Sequence, residues 1–275
     1  MRIIHTVAEL RAALAGAPKP ILVPTMGNLH EGHLSLVRIA LGRRLPVVVT
    51  IFINRLQFAP SDDFDRYPRT LSQDCALLEK GGCDLVFAPS ESEMYPEPQG
   101  YEVQPPAALA GILEGRSRPG FFTGVCTVVV KLFNLVSPEI AVFGKKDYQQ
   151  LLVIKQMVKQ LALPIEVSGG ETVRDPSGLA MSSRNAYLNS AEREEAAQLS
   201  GVLRRAGEDI RSGRTDWREI EYEATEVLTR RGWQPDYVAI RRRDNLGEPD
   251  QGGPLIVLAA ARLGSTRLLD NIELA

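Results

Sequence analysis

Two histidines separated by a glutamate and a glycine, His30 and His33, are the residues whose type and spacing best suit chemistry in this chain. They lie in Pro24-Thr25-Met26-Gly27-Asn28-Leu29-His30-Glu31-Gly32-His33, after the apolar run Ile21-Leu22-Val23 and before Leu34, Val37 and Leu41. The run predicts a short buried strand, and the later spacing predicts the core face of a helix. Both imidazoles then sit at or just before a helix start, where unpaired N–H groups and the positive dipole end attract phosphate. Gly27 and Gly32 let the backbone approach a ligand with no Cβ in the way. The imidazoles add donors for charge that grows on phosphate oxygens during phosphoryl or nucleotidyl transfer. Two other readings stand beside this one. The histidines could serve as a cap or lie on the surface, or they could ligate zinc, although no cysteine or third-ligand pattern lies nearby. The remaining histidine, His5, is in the N-terminal segment.

The elements around this loop follow from periodicity. Val7 to Ala15 reads as a helix, Ile21 to Thr25 as a strand, and Glu31 to Arg44 as a helix. Val47 to Ile53 is a continuous β-branched and apolar run, as expected of a strand buried on both faces of a parallel sheet. Thr70 with Gln73 reads as a capping box opening a helix to Lys80, which Gly81-Gly82 ends. Asp84 to Ala88 and Ile140 to Phe143 read as strands; 107–113, 123–136 and 147–161 read as helices. Strands alternating with helices predict an α/β fold with a doubly wound parallel sheet. After Pro176 the pattern changes to two charged helices, over 191–212 and 216–231, and strands at 237–241, 255–260 and 266–269. That change predicts a second, smaller α+β domain, giving domains of residues 1–173 and 174–275.

Composition bounds the partners. With 275 residues, 44% hydrophobic and 24% charged, the chain can bury a sizeable core, and a net charge of −2 gives no sign of a nucleic-acid surface. Cys75, Cys83 and Cys126 are odd in number and form no CxxC pair, which favours reduced thiols in a cytoplasmic protein. The N-terminus is broken by charge too early for a signal peptide. The longest uncharged apolar run, Leu45 to Ile53, is too short to span a bilayer. A soluble protein without nucleic-acid or membrane partners is expected. No two glycines stand two apart, so GxGxxG cannot occur, and GxxxxGK[ST] is absent as well. A bound nucleotide must therefore use the His-bearing helix start.

The decapeptide resembles the pantothenate synthetase (pantoate–β-alanine ligase) family, within the nucleotidyltransferases that carry an HxGH signature. Further segments resemble that family in the same order: Phe52-Ile53-Asn54-Arg55-Leu56-Gln57-Phe58, Asp62 to Thr70 with Tyr67-Pro68-Arg69-Thr70, and Leu113 to Phe122. Gly144-Lys145-Lys146-Asp147-Tyr148-Gln149-Gln150, Met181-Ser182-Ser183-Arg184-Asn185 and Ala261 to Ile272 complete the set, so the likeness spans nearly the whole chain. It implies a Rossmann-like ATP- and pantoate-binding domain with a smaller C-terminal lid domain. The implied reaction is ATP-dependent condensation of (R)-pantoate with β-alanine through a pantoyl adenylate, releasing AMP and pyrophosphate.

The resemblance implies residue roles as well. His33, His30 and Lys146 would be catalytic, with His33 as the family's proton donor. ATP would meet Met26, Gly27, His30, Gly32, His33, Gly144, Lys145, Lys146, Asp147, Val173, Met181, Ser182, Ser183 and Arg184. Serine hydroxyls and a planar guanidinium suit a triphosphate tail. Gln57 and Gln150, with Asn54 and Tyr67, would hold pantoate or β-alanine; an amide pair can donate to a carboxylate and accept from hydroxyls. Asp74 matches a carboxylate associated with Mg²⁺, although the ATP phosphates could hold that cation. The family is typically dimeric, so a homodimer is implied. Three positions depart from the pattern: Arg55 for proline, Lys145 for glutamate and Phe121 for histidine. Two rivals stand against this reading: a transferase of the same fold acting on a phosphate substrate, and a catalytically silent nucleotide-binding protein. The two glutamines speak against the first, and His30, His33, Lys146 and Arg184 together speak against the second.

Overall fold

A computed structural model of the chain describes residues 1–60, 63–250 and 252–274; Asp62, the first residue of the Asp62 to Thr70 segment, lies outside them. The fold divides into two compact units. The N-terminal unit, residues 1–145 and 153–171, holds a six-stranded sheet. Its strands are β1 (Arg2–Ile4), β2 (Ile21–Thr25), β3 (Val47–Ile51), β4 (Leu85–Phe87), β5 (Ile140–Gly144) and β6 (Glu166–Gly170). They run in the order β1-β4-β3-β2-β5-β6, and every pair is parallel. Ile21, Leu22, Val23 and Val47 to Val49 are all fully buried, as continuous apolar runs in a parallel sheet require. After β2 the chain builds β3 and β4 on one side and then crosses to β5 and β6 on the other. The carboxyl ends of β2 and β5, adjacent through the Ile21–Ile140 and Leu22–Ala141 pairs, therefore flank the topological switch.

The helices of this unit are α1 (Val7–Leu14), α2 (Glu31–Leu41), α3 (Leu71–Lys80), α4 (Glu91–Met94), α5 (Ala107–Ala110), α6 (Glu114–Ser117) and α7 (Phe121–Val136). The β-branched run in α7 is no obstacle, because Thr127, Val128 and Val129 are buried and packing outweighs propensity. The helix expected over 107–113 is only the single turn of α5. No capping box forms at α3: the Thr70 side chain makes no capping bond, and its hydroxyl instead donates to Asp74 Oδ2 at 3.1 Å. The helix α8 (Tyr148–Gln160) begins within residues 146–152, which group with the C-terminal unit, and continues through 153–160.

The C-terminal unit, residues 146–152 and 172–275, carries an antiparallel sheet of β7 (Gln234–Arg242), β8 (Leu255–Leu263) and β9 (Thr266–Glu273). The helices α9 (Ser190–Ala196), α10 (Gln198–Arg211) and α11 (Trp217–Arg230) share a core with it that includes Leu199, Leu203, Ile220, Leu228, Val257 and Ala259. The single helix expected over 191–212 is broken at Ala197, whose N–H turns to the Glu195 carbonyl and interrupts the ladder. Among the described residues no helix is long and apolar enough to cross a membrane.

Candidate active site

At the carboxyl end of β2 the chain turns sharply through Gly27 (φ 81°) and Asn28 (φ 50°) before entering α2. A Cβ on Gly27 would lie 3.0 Å from Asp74 Oδ2 and 3.1 Å from Ile51 Cγ2, so only glycine fits. His30 is the N-cap of α2: its Nδ1 accepts from the Gly32 N–H at 3.1 Å, while His33 Nδ1 accepts from the His30 N–H at 3.3 Å. The two rings lie 4.1 Å apart, tilted by 35°. A neutral imidazole that accepts at Nδ1 carries its proton on Nε2, so each histidine presents an Nε2–H donor. The capping reading and the phosphate reading are thus compatible; one nitrogen of each ring caps the helix and the other can donate. The donor pair sits at a helix N-terminus on the topological switch, where anions and nucleotides bind in open α/β sheets.

The acid-binding expectations also fall in the N-terminal unit. Asn54 is 1% exposed and caps the short turn Arg55–Gln57. Its Nδ2 donates to Gln57 Oε1 and the Gly124 carbonyl, both at 3.1 Å, and its Oδ1 accepts from the Tyr95 hydroxyl at 2.8 Å. Both ends of its amide are engaged by protein groups, and its Nδ2 supports Gln57. Gln57 is half-buried, and its Nε2 contacts Met26 Sδ at 3.2 Å, which joins the expected acid and ATP segments. Tyr67 is buried, with its ring edge-on to Phe58 at 5.9 Å.

A cavity of about 350 Å³ opens beside Gln57, lined by Phe58, Glu102, Arg118, Phe121 and Thr127 among others. Arg118, quoted in a motif but given no role, lies over the Phe121 ring at 3.9 Å and donates to the Gln57 carbonyl at 3.1 Å. Phe121, where the family commonly has histidine, thus supports a cation. Arg55 likewise lies 3.9 Å over Phe64 and pairs with Glu91 at 3.0 Å.

Gly144 ends β5, and Lys145, which opens the short turn after it, is ion-paired with Glu171 just beyond β6, which offsets the charge that replaces the family's glutamate. The remaining expected residues belong to the C-terminal unit. Lys146 and Gln150 are half-buried and Asp147 is exposed. The Lys146 carbonyl accepts from Asn271 Nδ2 at 2.8 Å, and the Tyr148 hydroxyl donates to the Arg243 carbonyl at 3.0 Å. Val173 and Met181 are backbone partners at 2.9 Å. Arg174 forks onto the buried Asp270 at 2.6 and 2.9 Å and also reaches the Asn271 carbonyl at 3.2 Å. The neighbours Asp270 and Asn271 on β9 therefore hold both the segment leading to Met181-Ser182-Ser183-Arg184 and the Lys146 turn. Ser182 caps the short helical turn Ser183–Tyr187 by accepting from the Arg184 N–H at 3.3 Å.

Asp74 does not fit the role of a direct Mg²⁺ ligand. It is 2% exposed; its Oδ1 accepts from the Leu29 N–H at 2.8 Å, and its Oδ2 from the Asn28 N–H at 3.0 Å and from Thr70. These bonds make it the anchor of the loop that delivers His30. No group of three or more His, Cys, Asp or Glu among the described residues is arranged to hold a metal ion.

Comparison with known proteins agrees with this geometry. A profile of the family described as pantoate-beta-alanine ligase matches residues 2–273. The chain is 59% identical to a pantothenate synthetase of Leptothrix cholodnii, over 99% of this chain and all of that one. It is similar to the crystal structure of pantothenate synthetase from Thermus thermophilus, with a TM-score of 0.93 and 45% identity over 99% of each chain. It also resembles a pantoate-beta-alanine ligase from Francisella tularensis whose structure is described as complexed with beta-gamma ATP and beta-alanine; the TM-score is 0.85 and the identity 33%, over 99% of this chain and 97% of that one. With its motifs, its doubly wound sheet and these likenesses all in agreement, the chain belongs to the pantoate–β-alanine ligase family.

Proposed function

We propose that this chain carries out its family's ATP-dependent joining of pantoate to β-alanine in two steps. In the first, a pantoate carboxylate oxygen bonds to the α-phosphorus of ATP, and the bond to the departing pyrophosphate breaks. In the second, the amine of β-alanine bonds to the acyl carbon, loses a proton and displaces AMP. The observation that carries this reading is the reciprocal capping of His30 and His33, which fixes both imidazoles at the start of α2 on the topological switch.

The two imidazoles hydrogen-bond to the phosphate oxygens as charge grows on them; the proton transfer that the resemblance gives to His33 needs its imidazolium form, which releases the His30 N–H it accepts from in the neutral form. The Lys146 ammonium and the Ser182, Ser183 and Arg184 side chains bind the triphosphate. Met26, Gly27, Gly32, Gly144, Lys145, Asp147, Val173 and Met181 line the nucleotide. Gln57 and Gln150 hold pantoate, with Tyr67 beside them. Catalysis is then largely positioning and electrostatics, as in other phosphoryl transfers. Mg²⁺ enters as part of the substrate, bound to the ATP phosphates. Residues 174–275 serve as a lid domain, and the enzyme works as a cytoplasmic homodimer. Pantoate labelled with heavy oxygen in its carboxylate tests the chemistry. One label should appear in AMP, and label-free AMP would exclude attack by that carboxylate.

A further inference from the structure

We infer that Tyr95 is a positioning residue that holds the Asn54 amide in the orientation deciding which end of the Gln57 amide meets the acid. The inference rests on the proposed role of Gln57 as the pantoate-holding side chain. An amide can be turned end over end with little change in shape, so its orientation must be read from partners that allow one role only. Asn54 has two such partners. The Gly124 carbonyl can only accept, which places the Asn54 Nδ2 toward it at 3.1 Å. The Leu56 N–H can only donate, which places Oδ1 on the other side, at 3.4 Å.

The Tyr95 hydroxyl, 2.8 Å from that Oδ1, must then be the donor, and it supplies the short bond of the pair. Burial, with the nearby Glu91 charge adding to it, pushes the Tyr95 phenol well above its usual range, so the proton stays on the oxygen. Its ring is held by Phe52 at 5.9 Å and by Lys131 Nζ at 4.6 Å. From Asn54 the polarity passes on. Nδ2 can only donate, so the Gln57 atom at 3.1 Å from it is Oε1. Gln57 Nε2 is left as the outward end, against Met26 Sδ at 3.2 Å. A thioether is a weak acceptor, which a carboxylate readily displaces. Asn54, fixed by Gly124 and Leu56 and held by the short bond from Tyr95, thus makes Gln57 a donor to the acid rather than an acceptor. The preference is for a carboxylate over an amide or a cationic group at that point.

The test is Tyr95→Phe in the full-length protein, which keeps the ring and removes the hydroxyl. Pantoate-dependent exchange of labelled pyrophosphate into ATP is measured for wild type and variant, with KM determined separately for pantoate and for ATP. KM for pantoate should rise about tenfold, the scale of losing control over one hydrogen bond, while KM for ATP stays within about twofold. Gln57→Glu provides the second arm, because it replaces the donor by an oxygen; it should abolish pantoate saturation while nucleotide binding, followed by calorimetry, persists. Unchanged pantoate KM in Tyr95→Phe, or equal losses for both substrates, would overturn the relay. In either case wild-type exchange would still stand as support for the reaction itself. Absence of exchange in the wild type would instead remove the reaction on which the relay depends.

Discussion

Asp74→Asn separates an anchoring carboxylate from a metal ligand, because the two roles predict opposite results in a protein without nucleotide. The carboxylate takes three donors: the Leu29 N–H at 2.8 Å, the Asn28 N–H at 3.0 Å and the Thr70 hydroxyl at 3.1 Å. Asparagine keeps one oxygen and turns an amino group toward the donors that the second oxygen served. One buried N–H then loses its acceptor, at a cost of about 1–3 kcal/mol, and the surviving bond is no longer charge-assisted, which adds about 1 kcal/mol. Some of this is offset because a neutral amide is easier to bury than a carboxylate. A net loss of about 1–3 kcal/mol is expected, read from urea unfolding in EDTA. The loop that slackens carries His30 and, through its cap, His33, so adenylate formation should fall by about 10²-fold, the scale of a misplacement near 1 Å. Unchanged stability in EDTA, with activity recovered by excess Mg²⁺, would refute the anchoring account and return Asp74 to the metal.

His33→Ala removes one Nε2–H donor and should slow adenylate formation by about 10²-fold or more in single-turnover assays. The acceptor it also removes, 3.3 Å from the His30 N–H, is a weak cap, so the melting transition should move little. Near-normal adenylate formation would take His33 out of the chemistry. Arg55→Pro restores the residue common in the family. The position opens the short turn after Asn54, whose ψ of 108° suits a following proline, so the ring fits. Loss of the exposed contacts to Glu91 and Phe64 is balanced by a less flexible unfolded chain, and stability should change by less than about 1 kcal/mol with activity retained. Loss of most activity would show that the arginine itself is required.

Local patterns were legible where the cause of the structure is local. Ile21–Thr25 and Val47–Ile51 announce buried parallel strands by composition, and the His30–His33 spacing announces a helix start. Where the cause lies far along the chain, the same reasoning fails. The segment Glu166–Gly170 contains two glycines and reads as no element; it becomes β6 by pairing with β5, and a Cβ on Gly170 would lie 2.3 Å from Leu36 Cδ2. Thr70 has the right residue three places on for a capping box, yet Asp74 takes its hydroxyl. Asp74 itself resembles a cation ligand until the loop at Asn28 and Leu29 is seen to need it. Tyr95 carried no motif, and only the fold brings it to Asn54.

The central claim is a two-step reaction in which the acid is activated before the amine arrives. The groups assigned to the first step are His30, His33, Lys146 and Arg184 for the triphosphate and Gln57 with Gln150 for the acid, and none of them is needed to recognise β-alanine. ATP, Mg²⁺ and pantoate alone should therefore support exchange of labelled pyrophosphate into ATP. A transferase for phosphate substrates would show no pantoate-dependent exchange, and a silent nucleotide-binding protein would show none with any acid. Exchange that appears only once β-alanine is added would contradict the two-step route.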